Sequence, residues 1–569
     1  MFTEEQIASV QSVFGAVHLE PQQAAADGAT ESTHFGYPID DLCKEEQWKA
    51  NRHPWELWGA MRELAKANTL PEAEEKFLFK HHGIFDVSPV QTSFMTRLRI
   101  PGCKVRGDQM IALGHLSTAV AGGYAHVTTR GNLQMREIPP AKIMELFYGL
   151  SYCGLSSMCS GADSARNITC SLSAGFDPDE LIDLSPYALE LNHLIRNTRD
   201  LNGIPRKFNF AFDNGGSLSV VSTTNDVAFI ACQVLDGFGL EPGIYCRIAV
   251  GGITGHGDFA RETWRVIRSE QCVDVAEALL QHFAEHGTRD NRSKARLKYL
   301  LEDIGDQAYI DAAADRLGIE IPLVSAEAIA PAKTIQRQAH IGIHPQAQDG
   351  YCYVGIALPV GRLSAEQMHI LGELSQKYGR NDIRLTVWQN ALIPYVPTER
   401  ANDLVEELTT AGLPCSATSF AAGMVACTGN AGCKFAGADT KATGLALINT
   451  LNEQFDLQHP INIHVTGCQH SCAQHYIGDI GLIGSPISGS DGKSADGYQI
   501  VLGGGADTEE AIANQLTTSG LSVAETIEVV GKIIEAYISD TQQQTSFTTW
   551  AQSQAKDLSS LCQRSLPAG

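Results

Sequence analysis

The sequence predicts an α+β protein that contains one structural unit twice, and three observations carry that expectation. The first is an internal repeat. The segment "IPGCKVRGDQMIALGHLSTAVAGGYAHVTTRGNLQMREIP", starting at Ile100, lies without a gap over "LPVGRLSAEQMHILGELSQKYGRNDIRLTVWQNALIPYVP", starting at Leu358. Gln109, Met110, Gly114, Ser117, Thr128 and Asn132 meet Gln367, Met368, Gly372, Ser375, Thr386 and Asn390. The second is the pattern inside each copy: strand, turn, amphipathic helix, strand, strand, a half-domain of the split βαβ kind. The third is a fainter repeat downstream. "PRKFNFAF" from Pro205 can be laid on "PINIHVTG" from Pro460, and "NDVAFIA" from Asn225 on "GDIGLIG" from Gly478. Each copy is therefore a half-domain followed by a larger α/β domain. Such a duplication implies a pseudo-twofold, with room for a large ligand at the junction.

In chain order, residues 1–85 read as an N-terminal extension and linker, with "PQQAAADGATESTHFG" a low-complexity connector. Residues 86–155 form the first half-domain and 156–335 the first larger domain. Residues 336–405 form the second half-domain, and 406–569 the second larger domain with a C-terminal tail. "VLGGGADTEE" reads as a glycine turn before a helix, not a dinucleotide loop.

The 569 residues exceed one core and suit several domains of roughly 100–200 residues. A net charge of −23, from 42 basic and 65 acidic side chains, argues against nucleic acid and anionic membrane as partners. No run reaches the ~20 apolar residues of a membrane helix. The acidic start "MFTEEQIASVQSVFG" has neither a signal nor a transit pattern, so a cytoplasmic protein is expected. In that compartment fifteen cysteines argue against a disulfide framework. Most should be small buried apolar groups, as Cys232 in "VAFIACQVL".

One set of cysteines stands apart. Cys427 and Cys433 lie in "ACTGNAGC", and Cys468 and Cys472 in "TGCQHSC". Structural zinc favours tighter pairs. Four thiolates at varied spacing suit a [4Fe–4S] cluster better, and Gly429, Gly432 and Gly467 would let backbone N–H groups approach it. Where the second copy has these cysteines, the first has basic residues. One copy reads as holding a metal centre and the other an anion.

These motifs resemble the sirohaem- and [4Fe–4S]-containing nitrite and sulfite reductases, most closely the ferredoxin-dependent assimilatory nitrite reductases. "FMTRLRIPG", "HVTTRGNLQMR", "ARNITCSLSAGFDP", "IPRKFNF", "HPQAQDGYCYVGIALPVGRL" and "RLTVWQN" fall in the family's order, from about residue 75 to 505. The resemblance implies two ferredoxin-like half-domains pairing about the pseudo-twofold, with the two larger domains around sirohaem and the cluster. It implies that Cys427, Cys433, Cys468 and Cys472 bind the cluster, and that Cys472 also bridges to the sirohaem iron.

Sirohaem carries eight carboxylates, which calls for arginine forks. By resemblance Arg97, Arg99, Thr128, Asn132, Arg136 and Arg206 contact it, and strand alternation puts Arg97 and Arg99 on one face. Arg130, Arg166, Lys207 and Asn209 are the implied substrate residues, holding an anion and supplying protons. The family's sulfite reductases usually show Lys-x-Lys where this chain has Lys207-Phe208-Asn209, and its nitrite reductases Lys-x-Asn. One fewer cation suits the singly charged nitrite. In "TTRGN" the chain departs from the usual pattern, with Gly131 where Gln is common.

The implied reaction is the six-electron reduction of nitrite to ammonium. Sulfite reduction is the alternative, and a non-reductase iron–sulfur protein of tetrapyrrole biosynthesis a second. The retained Arg130, Arg166, Lys207 and Asn209 favour a reductase. The chain shows no flavin or nicotinamide motif, so an external donor, ferredoxin or a similar small carrier, is expected, with the chain acting as a monomer. In "TRDNRSKARLKYL", Arg292 and Arg296, and Lys294 and Lys298, lie four apart. They offer a basic docking patch for an acidic donor, a solvated helix face, or further contacts to the haem carboxylates.

Overall fold

The computed structural model describes residues 33–554, apart from residues 219, 254–256, 337–339, 489–492, 506–511 and 518. The expected N-terminal start, most of the low-complexity connector and the end of "VLGGGADTEE" lie outside the described residues.

The two half-domains are built from matching elements. In the first, Phe94–Arg97, Tyr124–Val127 and Leu133–Ile138 flank helix Gly107–Val120. In the second, Tyr351–Ile356, Asp382–Leu385 and Ala391–Pro397 flank helix Ala365–Tyr378. The short strand before each helix crosses over. Lys104–Arg106 completes the sheet of the second copy beside Asp382–Leu385, and Arg362–Ser364 completes the first beside Tyr124–Val127. This reciprocal exchange is the pseudo-twofold in hydrogen-bonded form, and one core serves both copies.

The repeated residues have repeated jobs. Gln109 and Gln367 are third in their helices, and each side chain accepts the N–H of the residue before the helix, Arg106 or Ser364, at 3.0 Å. Ser117 and Ser375 donate back to the carbonyls of Gly114 and Gly372. Those glycines are where the two helices meet. A Cβ on Gly114 would come within 2.7 Å of the Ala365 carbonyl, and one on Gly372 within 2.5 Å of the Gly107 carbonyl. Alanine at either position gains about 1 kcal/mol of helix propensity but overpacks the crossing at about 1–3 kcal/mol. Gly114→Ala and Gly372→Ala are each expected to lower the thermal unfolding midpoint. Gly59→Ala, on a helix where nothing lies within 4 Å, should leave or raise it. Equal effects at all three would remove the crossing as the reason for these glycines.

Each larger domain is a five-strand path of one topology. The first runs Thr169–Cys170, Phe210–Asp213, Val227–Val234, Gly243–Val250, Arg261–Ile267. The second runs Met424–Ala426, Ile463–Thr466, Ile480–Gly484, Gly497–Leu502, Asn514–Gln515. In both, two parallel pairings precede two antiparallel ones. The faint repeat needs a correction. Val227 faces Phe210 as Ile480 faces Ile463, and the N–H groups of Asn209 and Asn462 donate to Asp226 and Asp479. Asn209, not Lys207, is the counterpart of Asn462, so the expected overlay of these strands is two residues out.

The segment expected as extension and linker is partly a packed element. Helices Lys44–Asn51, Trp58–Ala67 and Ala73–Leu78 precede the first sheet, and Leu57, Met61, Leu64, Phe77 and Leu78 join the half-domain core. Buried ion pairs tie the first helix to the first larger domain. Lys49 bonds Glu46 at 2.5 Å and Asp163 at 3.1 Å, and Arg289 bonds Glu46 at 2.6 Å.

Candidate functional site

The four cysteines come from two loops that follow adjacent parallel strands. Cys427 follows Met424–Ala426 and Cys468 follows Ile463–Thr466. The N–H of Gly467 donates to Cys427 Sγ at 3.2 Å, and the Thr440 hydroxyl bonds the Cys427 carbonyl at 2.7 Å. Burial pushes the Cys472 thiol up to about 11, and Cys427, Cys468 and Cys433 add to the push while Lys207 opposes it. The four sulfurs thus share one neighbourhood. Among the described residues no three His, Cys, Asp or Glu side chains are grouped to hold a single metal ion. A polynuclear cluster, which holds its thiolates farther apart, fits this donor set.

The glycines of the motif are packing positions. Gly429 has φ +71° and a Cβ there would meet the Thr440 N–H nitrogen at 2.6 Å. A Cβ on Gly467 would meet that of Ala436 at 2.6 Å, and one on Gly432 would collide with the Arg136 guanidinium.

Cys472 is exposed even though surrounding protein disfavours its charge. Arg97, Arg130, Arg166 and Lys207 show the same combination. Each is half-buried, and in each burial is the first cause of a lowered pKa. Arg97 and Lys207 are charge neighbours of Cys472, and Arg166 and Arg130 are neighbours of Lys207. These basic side chains therefore gather around the Cys472 thiol, an arrangement that suits an acidic macrocycle with a sulfur ligand.

Lys207 makes no hydrogen bond or ion pair with any described residue. Phe208 and Phe210 enter the core with Phe283, and Lys207 and Asn209 flank Phe208 just before strand Phe210–Asp213. Both amide atoms of Asn209 are buried and unpartnered. Arg166 donates to the carbonyls of Ser160 at 3.0 Å and Ala162 at 2.7 Å, leaving its Nε unpartnered. Arg130 lies with these residues, but its donors are taken by Asn167 O at 2.5 Å, Phe210 O at 3.0 Å and Asn225 Oδ1 at 2.6 Å.

Several residues expected at the cofactor have protein partners of their own. The strand ends at Arg97, so alternation does not carry over to Arg99. Arg99 is 3% exposed and binds Asn192 Oδ1 at 2.5 Å and the carbonyls of Cys159 and Ala165. Thr128 and Asn132 shape the turn between strands: Thr128 Oγ1 accepts the Arg130 N–H, and the Asn132 amide bonds Leu98 O and Leu133 N. Thr386 and Asn390 serve the equivalent turn in the second copy. Arg136 reaches the cluster loop, bonding Thr428 Oγ1 at 2.8 Å and approaching Cys433 and Cys427. Arg206 leans toward Asp163 at 3.9 Å.

Gly131 has a packing explanation. It has φ +53°, and Cys103 fills the space a Cβ would need. In the second copy the pair is reversed: Gln389 stands at the Gly131 position and Gly361 at the Cys103 position. A Cβ on Gly361 would lie 2.8 Å from that of Gln389. Small and large have changed places between the copies.

The basic run is not a free patch. Arg292 forks onto Asp163 at 2.6 and 2.8 Å, Arg296 bonds Asp226 at 2.9 Å, and Lys298 pairs with Asp258. Only Lys294 of the four is exposed, so the expected docking patch is replaced by internal ion pairs. Sequence reasoning also missed Thr129, whose hydroxyl donates to Cys472 O at 3.3 Å, and Asn225, the partner of Arg130. Lys441 was missed as well, although a cation in the first turn of a helix opposes the helix dipole and was a readable signal.

Comparison with known proteins places these features in a family. The model of the nitrite and sulphite reductase 4Fe-4S domain matches residues 161–321 and 419–552. That of the nitrite/sulfite reductase ferredoxin-like half domain matches 89–150 and 344–411. The chain is 31% identical over 495 residues to a chloroplastic ferredoxin–nitrite reductase of Zea mays, covering 83% of this chain and 85% of that one. It is 31% identical over 431 residues to a ferredoxin–nitrite reductase of Synechococcus elongatus, covering 74% and 82%. A sulfite reductase [ferredoxin] 1 of Mycolicibacterium paratuberculosis is 30% identical over 464 residues, covering 80% and 82%. In fold, the Mycobacterium tuberculosis NirA protein superposes with a TM-score of 0.82 at 24% identity, covering 91% of this chain and 97% of that one. Among the described residues no helix is long and apolar enough to cross a membrane.

Proposed function

The chain belongs to the nitrite and sulphite reductase family of oxidoreductases, and on that premise we propose that it reduces nitrite to ammonium with electrons from ferredoxin or a similar small carrier. The family's cofactors are a [4Fe–4S] cluster and sirohaem. Cys427, Cys433, Cys468 and Cys472 would hold the cluster, and Cys472, the exposed thiol of the four, would also be available to the sirohaem. When bound, these groups supply the one-electron chemistry.

The chain's own residues bind the anion and handle protons. Reducing nitrite to ammonium takes up six electrons and eight protons, so donors must stand at the anion. The amine of Lys207 attracts the anion and holds a proton at Nζ. Arg166 keeps its charge, and its carbonyl partners fix its direction. Arg130 acts at one remove, holding the Asn167 and Phe210 backbone that carries the site.

The observation that carries nitrite over sulfite is one unpartnered cation, Lys207, two residues from the buried and unpartnered amide of Asn209. A doubly charged anion would be better served by a second cation. The sulfite reductase relative keeps sulfite as the competing reading. The test is Asn209→Lys in the loaded enzyme. A charge-assisted hydrogen bond is worth about 1.5–3 kcal/mol. The ratio of kcat/KM for sulfite over nitrite should therefore rise by roughly 10- to 100-fold. An unchanged ratio would remove this position from the selectivity account.

A further inference from the structure

We propose that Lys441 is the fixed counter-charge of the [4Fe–4S] cluster and raises its reduction potential. Lys441 is the second residue of helix Thr440–Gln454, whose N-cap is Asp439. The helix dipole opposes a cation there. The side chain is nevertheless 8% exposed, and it turns back to donate to Ala426 O at 2.7 Å and to Val360 O. Ala426 immediately precedes Cys427, so the ammonium sits one peptide from a cluster ligand.

No described carboxylate pairs with it. Asp439 accepts the Ala442 N–H at 3.1 Å, and its effect on Lys441 is the weakest of those acting. The other charged neighbours are Arg136 and Arg362, also cations. His126 packs nearby with both ring nitrogens unpartnered, held neutral by burial and by these cations. A buried cation among cations is costly unless an anion stands close. Burial disfavours the Lys441 charge, and the Cys427 sulfur is the strongest influence in its favour.

A [4Fe–4S] cluster on four thiolates is negative in both redox states. Reduction adds one electron to it and neither forms nor breaks a bond. A fixed cation nearby favours the more negative, reduced form, and net charge is one of the determinants of cluster potential. This assignment rests on the cluster that comes with family membership and not on the choice of nitrite.

The test is potentiometric titration of the reduced-cluster EPR signal in the holoprotein, with Lys441→Gln and Lys441→Arg. At the potential where the native cluster is half reduced, K441Q should show about a tenfold lower reduced-to-oxidised ratio, ~59 mV for a one-electron couple. K441R should titrate with the native protein. A native potential in K441Q would overturn the proposal and leave Lys441 as a tie between Val360 and Ala426. So would a shift in K441R equal to that in K441Q. If K441Q fails to load a cluster while K441R loads and titrates natively, the charge is again what matters. Failure of both to load would assign the position to shape and overturn the proposal.

Discussion

Serine in place of Cys427, Cys433, Cys468 or Cys472 should abolish the cluster. The hydroxyl is a hard, weakly acidic ligand where the site needs a soft thiolate. Loss of an outer-shell group already costs about 10–100-fold in metal affinity or activity. Loss of a ligand should therefore bring turnover below roughly one-hundredth of native. Iron content and the broad visible absorbance of the cluster should fall together. Cys472→Ser should also change the haem spectrum, because Cys472 is the exposed thiol of the four and lies among the basic residues Arg97 and Lys207. Cys232→Ser is the contrast. That thiol is buried, pushed up to about 12 by burial, and packed with Val234, Tyr245 and Val266. Its loss should cost stability and leave iron content unchanged. Full iron in Cys468→Ser would contradict the assignment of the four ligands.

The second large effect is expected at Lys207. Lys207→Gln should lower kcat by about 10²–10⁴-fold, the range for a positioned proton donor. It should also remove a pH dependence of anion binding. Burial first, then Arg296, Arg166 and Arg130, hold the Lys207 amine well below its usual pKa. A bound anion brings negative charge to the amine and raises that pKa. Binding is then coupled to proton uptake, so affinity tightens as pH falls from the bound-state pKa to the free-state pKa and levels off below it. Nitrite titrations of the haem spectrum across pH should show this slope in the native enzyme and none in K207Q. A native slope in K207Q would place the titrating group elsewhere.

The reach of the sequence can be judged from particular residues. The duplication was legible because matched residues do matched work. Gln109 and Gln367 cap, and Gly114 and Gly372 meet at the helix crossing. The exchange of Lys104–Arg106 and Arg362–Ser364 between copies was not, since a repeat does not say which copy a strand pairs with. The two-residue offset in the larger domains escaped notice for a related reason. A shift of two keeps every side chain on its face, so alternation cannot detect it.

The site was legible to a similar depth. Cysteine spacing isolated the four thiols from ten other described cysteines, seven of them buried. Charge spacing found Arg292, Arg296 and Lys298 but could not see Asp163, Asp226 and Asp258 across the fold. Arg99 was misread because the strand ends two residues before it. Thr128 and Asn132 repeat because they build the same turn twice.

The most direct measurement is steady-state turnover of the holoprotein with reduced methyl viologen, nitrite and sulfite offered separately, and ammonium and sulfide quantified. One unpartnered cation, Lys207, with an amide and not a second cation at Asn209, predicts ammonium from nitrite, with kcat/KM above that for sulfite by at least about tenfold, the lower bound of a charge-assisted hydrogen bond. Preference for sulfite, or no turnover of either anion by protein loaded with both cofactors, would contradict the account.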